Sequence, residues 1–193
     1  MSMGHFVAGN DDSALLEIFP AIDSTAQALY PNNRVGTRIK KFLDAYSDII
    51  TIGALGIIIK EFNLGFSHPS IKPRKDGTVK LSAILYHVFR CGTVHEGRLD
   101  ENARLVDGRH IKGDPPDKIE LPRKIIFGLN LSVITNPLHK NITAELPWTV
   151  NIQGHHPTCM IPLAECWGQR DRLLELRELL KQVQPNEDDG PLD

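Results

Sequence analysis

Cysteine is scarce in this chain: Cys91, Cys159 and Cys166 are an odd count without CxxC spacing among 193 residues. They outline neither a disulfide framework nor a zinc ribbon, and a reducing, cytoplasmic setting is expected. Long apolar runs are missing as well. The longest, Ile49 to Ile59, is 11 residues closed by Asp48 and Lys60, whereas a bilayer crossing takes roughly 20. The opening MSMGHFVAGNDDS lacks the basic start, apolar stretch and small-residue cleavage site of a secretory signal. Phosphate-cradling loops of the GxxxxGKS, GxxxxGKT or GxGxxG type are also absent, and GALGIII has no lysine. With no GxSxG elbow either, the chain reads as neither a P-loop NTPase, a dinucleotide enzyme nor a serine hydrolase of that type.

What is present is ordinary globular material, with 41% apolar and 24% charged residues. The length suits one domain with a real core, expected over residues 1–185, followed by an acidic flexible tail at 186–193. Net charge is only −2, but residues 34–140 hold 18 Lys and Arg against 11 Asp and Glu, while the rest hold 4 against 13. A basic centre attracts an anionic polymer such as nucleic acid; solvated charge without a partner is the plain alternative.

Apolar residues at three and four spacing predict a helix from Ser13 to Leu29, through Leu15, Leu16, Phe19, Ile22, Ala26 and Leu29. Pro31 ends it, and a second helix starts near Arg34 with a stripe of Val35, Ile39, Phe42, Leu43 and Tyr46. The short turn between them suggests an antiparallel pair. Ile49–Ile59 leans towards helix, Asn63–Gly77 reads as a polar loop, and Leu81 to Phe89 is a helical face. From Arg104 to Pro122 the turn pairs Asp107-Gly108 and Gly113-Asp114 predict a small hairpin or extended arm. Lys124–Thr135 reads equally as helix or strand, Trp148–Ile152 and Met160–Leu163 as extended, and Glu165–Val183 as the last helix.

The segment LSAILYHVFRCGTVHEG, with Arg90 and His95 five residues apart after an aromatic-rich apolar helix and with Glu96-Gly97 following, resembles the Arg-x4-His motif of HEPN-domain proteins. The likeness covers the motif firmly and residues 13 to 100 more loosely. It implies a mainly α, HEPN-like helical bundle with the hairpin or arm inserted after the central helix. It further implies a metal-independent endoribonuclease or RNA-binding protein without cofactor, working as a homodimer that sets two motifs beside one cleft. Arg90 and His95 would be the catalytic pair, in a toxin and antitoxin, phage-defence or RNA-processing role, with an antitoxin or other regulatory protein as partner. The family often carries Asn, Asp or His after the Arg, where this chain has Cys91. That departure and the net acidic charge favour the alternative, a catalytically silent helical protein that binds another protein.

Elementary chemistry gives the pair a mechanism. RNA carries its own nucleophile in the 2′-hydroxyl, histidine moves a proton near neutral pH, and the planar arginine fork matches phosphate oxygens. Five residues of regular α-helix, however, turn a side chain by about 140° and raise it about 7.5 Å. Arg90 and His95 therefore converge only if the helix loosens between them, at Gly92 for example, or if a second subunit supplies the partner. The same segment also reads as a core helix whose Arg90 pairs with a carboxylate and whose His95 caps a helix end. Asp23, on the first helix, is a candidate to orient either residue, and Cys91 and Glu96 are further supporting candidates. Arg34, Arg38, Lys40, Lys41 and Lys75 are candidate phosphate contacts. No metal is assigned: His87, Cys91 and His95 share a face, but the two histidines are about 12 Å apart along the helix. Cys91 is better read as a small buried apolar residue, and His155-His156 with Cys159 as a loop.

Overall fold

A computed structural model describes residues 2–92, 99–108, 111–113, 117–142, 149–151 and 160–183. The fold is mainly α, in two compact units, residues 1–133 and 134–193. No described helix is long and apolar enough to cross a membrane.

The first unit opens with α1 (Ser2–Val7), which the spacing argument does not anticipate, and α2 (Asp11–Leu29). Asp11 and Asp12 lie in the first turn of α2, where negative charge complements the helix dipole. Its buried face is Ala14, Leu15, Ile18, Phe19, Ile22, Thr25 and Ala26. Leu16 lies on the solvent side, together with Pro20 four residues on, so the carbonyl that Pro20 leaves without its usual amide donor is on a wet face. Arg123 ties these helices to the start of α6 (Ile125–Ile134): its Nε is 2.8 Å from both Asp11 carboxylate oxygens, and its Nη2 donates to the Phe6 carbonyl.

Helix α3 (Val35–Ala45) packs on α2 through Ile39, Phe42 and Leu43, while Val35 faces solvent instead of joining the stripe. Helix α4 (Ser47–Leu55) resolves the ambiguous apolar run, because Gly56 at φ 76° gives the left-handed stop and its N–H caps the Ile52 carbonyl. The chain beyond is strapped back to α4: Ser47 Oγ donates to the Ile59 carbonyl at 2.9 Å, and the Ile59 N–H donates to Thr51 Oγ1 at 2.9 Å.

The polar loop contains a minimal antiparallel pair, β1 (Asn63–Leu64) with β2 (Val79–Lys80), which feeds α5 (Leu81–Ile84). That helix does not continue as α. From Leu85 to Arg90 it is π-wound, and the Cys91 N–H donates to the Tyr86 carbonyl five residues back. The segment after it is no simple hairpin. β3 (Ala103–Val106) runs parallel to β5 (Ile119–Pro122), and β4 (Lys112–Gly113) pairs with β5 antiparallel, giving the order β3-β5-β4. β5 is central because it buries Ile119 and Leu121, a preference that turn residues do not encode. The α6 segment, left open between helix and strand, is helical.

In the second unit, Asn136 caps a short 3-10 turn at Pro137–His139, accepting from the Leu138 N–H at 3.0 Å. β6 (Thr149–Asn151) and β7 (Met160–Pro162) form an antiparallel pair, as their extended pattern predicts. The last helix, α7 (Arg170–Val183), begins later than expected. Leu163–Cys166 is a separate 3-10 turn, and Gly168 at φ 68° breaks the chain before the helix.

Candidate functional site

Three of the candidate residues, Lys40, Arg90 and Cys91, lie around one tyrosine. Tyr86 leaves the π turn and lies against α3 at Gly36, where a Cβ would come within 2.8 Å of its hydroxyl. Lys40 Nζ, from α3, is 5.4 Å from the ring centroid, and the Arg90 guanidinium carbon is 5.7 Å from it. The imidazole of His87 meets the same ring edge-on, with centroids 4.8 Å apart and planes at 89°. The electron-rich face of an aromatic ring attracts cations at such distances. Among the described residues no carboxylate pairs with Lys40.

Asp23 and Arg38 belong to the same neighbourhood but serve each other, with Arg38 Nε donating to Asp23 Oδ1 at 2.7 Å. Asp23 is thus held by Arg38, and its charge reaches Tyr86 through space. Cys91 is half-buried, not the fully buried apolar residue expected, and its N–H donates to the Tyr86 carbonyl. Burial, followed by Cys91, raises the Tyr86 hydroxyl above the ordinary phenol range, against the pull of Arg90, so it stays a proton donor. Burial also lowers the His87 imidazole below the ordinary histidine range, and the charges of Lys40 and His68 add to the effect. His87 is therefore the neutral imidazole of this group at pH 7.

Other basic candidates lie apart from the ring of Tyr86. Lys41 sits 5.7 Å from the Tyr30 ring and donates to Asn33 Oδ1 at 3.3 Å. Arg34 and Lys75 are exposed and make no described contact with the cluster. His95, Glu96, the His155-His156 pair, Cys159 and the acidic tail fall outside the described residues. No group of three or more His, Cys, Asp or Glu among the described residues is placed to hold a metal ion.

Tyr86 and Gly36 escape the sequence argument. The available signal was Tyr86 four residues before Arg90, a spacing at which helical neighbours meet. A cleft of about 360 Å³ also opens in this unit, floored by Leu43, Ile50, Leu81 and Leu85. None of the Tyr86 group lines it, and three of its rim charges are already paired, Lys80 with Asp44 and Glu61 with Arg74. Chemistry therefore points to the ring cluster and not to this larger hollow.

Fold and site together define a mainly helical protein with a cationic group assembled on one tyrosine of a π turn. A family model described as Rv1289 matches residues 1–188, and the chain belongs to the Rv1289 family. No curated protein and no solved structure matches the chain.

Proposed function

We propose that the chain is an RNA-binding protein and metal-independent endoribonuclease of the HEPN type, with Arg90 on the phosphate and His95 as general acid or base. The observation that carries the reading is the gathering of Lys40 and Arg90 around Tyr86 on a π-wound turn. Two cations on one ring suit a phosphate chain, for which charge-assisted contacts supply most of the affinity. The π turn also bears on the spacing of the motif. An i→i+5 bond stacks residues five apart, and Tyr86 with Cys91 is a described pair of that kind. Arg90 is the last residue of that turn, and the five-residue spacing of the motif begins there.

In the reaction, the ribose 2′-oxygen attacks phosphorus as it loses its proton, and the 5′-oxygen leaves as it gains one. Arg90 offsets the charge that develops on the phosphoryl oxygens. The products are a 2′,3′-cyclic phosphate and a 5′-hydroxyl. A homodimer that sets two motifs at one cleft completes the proposal, with a role in RNA processing or defence under control of a protein partner.

The test is incubation of the purified protein with labelled single-stranded RNA in EDTA, beside folded Arg90→Ala and His95→Ala variants. Cyclic-phosphate ends from the parent and a loss of about 10²-fold or more in each variant are expected. Equal cleavage in all three samples, or none in any, overturns the nuclease reading. Absence of RNA retention at low salt as well leaves the protein-binding alternative.

A further inference from the structure

We infer that the cleft lined by α3, α4 and α5 is a separate binding site for a small monocarboxylate, whose alkyl chain covers the apolar floor and whose anionic end meets Lys60 and the Ser82 hydroxyl. The inference does not rest on the nuclease reading above. The Tyr86 group does not line the cleft, and the acids of its rim are paired, so the cleft suits holding a ligand and not reacting with one.

Three helices of the first unit build the floor. α3 contributes Leu43, α4 contributes Ile50, and α5 with the start of the π turn contributes Leu81 and Leu85, all of them buried. The strap after α4 adds Phe62, whose carbonyl accepts from the Leu81 N–H at 2.9 Å and so fixes that side against α5. A volume of about 360 Å³ lies at the small end of the roughly 300–1,000 Å³ of small-molecule sites, so the occupant is small. An apolar floor with a few polar groups at its edge is also the ordinary composition of such sites.

The rim selects the sign of the ligand. Asp44 Oδ2 lies 3.3 Å from Lys80 Nζ, and Glu61 Oε1 lies 2.7 Å from Arg74 Nη1. Arg74 is outside the lining but neutralises Glu61, so three cations, Lys60, Lys80 and Arg74, stand against two carboxylates. Lys60 is the surplus charge, for no described residue pairs with it or accepts a hydrogen bond from it. An independent observation comes from Ser82. It lines the cleft at only 5% exposure, and its hydroxyl has no hydrogen-bond partner among the described residues, although buried hydroxyls ordinarily have one. Ser47, on the same lining, shows the contrast, since its Oγ donates to the Ile59 carbonyl at 2.9 Å. A carboxylate supplies what both groups lack, accepting from the Ser82 hydroxyl and from the Lys60 ammonium. An alkylammonium would meet the surplus cation, and a neutral alcohol would leave Lys60 without a counter-charge.

The probe is octanoate, titrated at neutral pH into the full chain by calorimetry and by backbone-amide NMR, beside octylammonium and 1-octanol. Octanoate is expected to bind with a Kd of about 1 mM or tighter, at least about 10-fold more tightly than octylammonium, and more tightly than octanol. The amide signals it moves should be those of the lining, Leu43, Lys60, Ser82 and Leu85 among them. Lys60→Gln is expected to weaken octanoate roughly fivefold and Ser82→Ala roughly threefold, while Lys60→Arg, which keeps the charge, restores most of the affinity. Lys60 is exposed and Ser82→Ala removes one oxygen, so thermal unfolding should stay close to the parent's in all three variants. No binding of octanoate, or signal changes confined to residues away from the cleft, overturns the site. Equal affinity for octylammonium or octanol overturns the carboxylate assignment, as does parental affinity in both Lys60→Gln and Ser82→Ala. None of these readings uses RNA, so a parent that cleaves no RNA overturns the nuclease reading alone.

Discussion

Gly36 decides whether the cations gather. Its backbone is not in the left-handed region, so the helix itself does not call for glycine there. Alanine would even favour α3 by about 1 kcal/mol. The reason for glycine is tertiary, since a Cβ would stand 2.8 Å from Tyr86 Oη, 2.9 Å from Cζ and 3.2 Å from Cε1. These atoms form the far end of a half-buried side chain, which can swing away at a cost of about 1–3 kcal/mol, much of it offset by helix propensity. Gly36→Ala is therefore expected to unfold close to the parent's temperature while losing RNA affinity by roughly tenfold, or about 1.4 kcal/mol. Thermal unfolding beside fluorescence anisotropy with labelled RNA at low salt checks both. Unchanged affinity would show that the seat of Tyr86 does not organise Lys40 and Arg90 for binding.

At the scale of elements, a second glycine contact behaves in the opposite way. Gly53 of α4 and Gly128 of α6 let two backbones cross: a Cβ on Gly128 would overlap the Ile50 carbonyl, and one on Gly53 would meet the Gly128 backbone. Backbone cannot swing aside as a tyrosine does. Gly128→Ala is expected to destabilise the first unit by about 1–3 kcal/mol or more, despite alanine's better helix propensity. Denaturant unfolding measures it, and parental stability would contradict so close a crossing. How far such elements are legible follows from their surroundings. α2, α3 and most of α7 show a stripe against a polar back, so spacing reveals them. IIFGLNLSVI is apolar nearly all round, so spacing cannot tell helix from strand, and its helical state rests on the packing that Gly128 permits. The π turn hides because Leu85, Val88 and Phe89 are buried at spacings an α-helix would also give. Arg90, Lys40, Arg38, Asp23 and Cys91 were readable as candidates by type and position. The approach of Lys40 to Tyr86 was not, because it joins two elements far apart in the chain.

For the whole molecule, buried titratable groups set the pH range over which the fold holds. His87 in the first unit and His139 in the second are both lowered by burial, from an unfolded value near 6.5. Well above pH 6.5 neither state holds the proton, so these groups leave stability flat. Between there and the lowered folded values the unfolded chain binds more protons, so stability rises with pH and is lost on acidification. The lowered carboxyls, Glu61 and Asp76, start from ordinary values of 4.5 and 3.8 and act at lower pH. At the alkaline end, burial raises the Cys166 thiol from 9.0 to about 11. There the unfolded chain gives up its proton first, and stability falls as pH climbs from 9.0 towards 11. Unfolding followed across pH 5 to 10.5 is thus expected to show a plateau bounded on both sides. His87→Gln and His139→Gln should each flatten the acid side and Cys166→Ala the alkaline side. An acid slope unchanged in the double histidine variant would place its origin in groups other than these two, and remove the link between the neutral state of His87 and its burial.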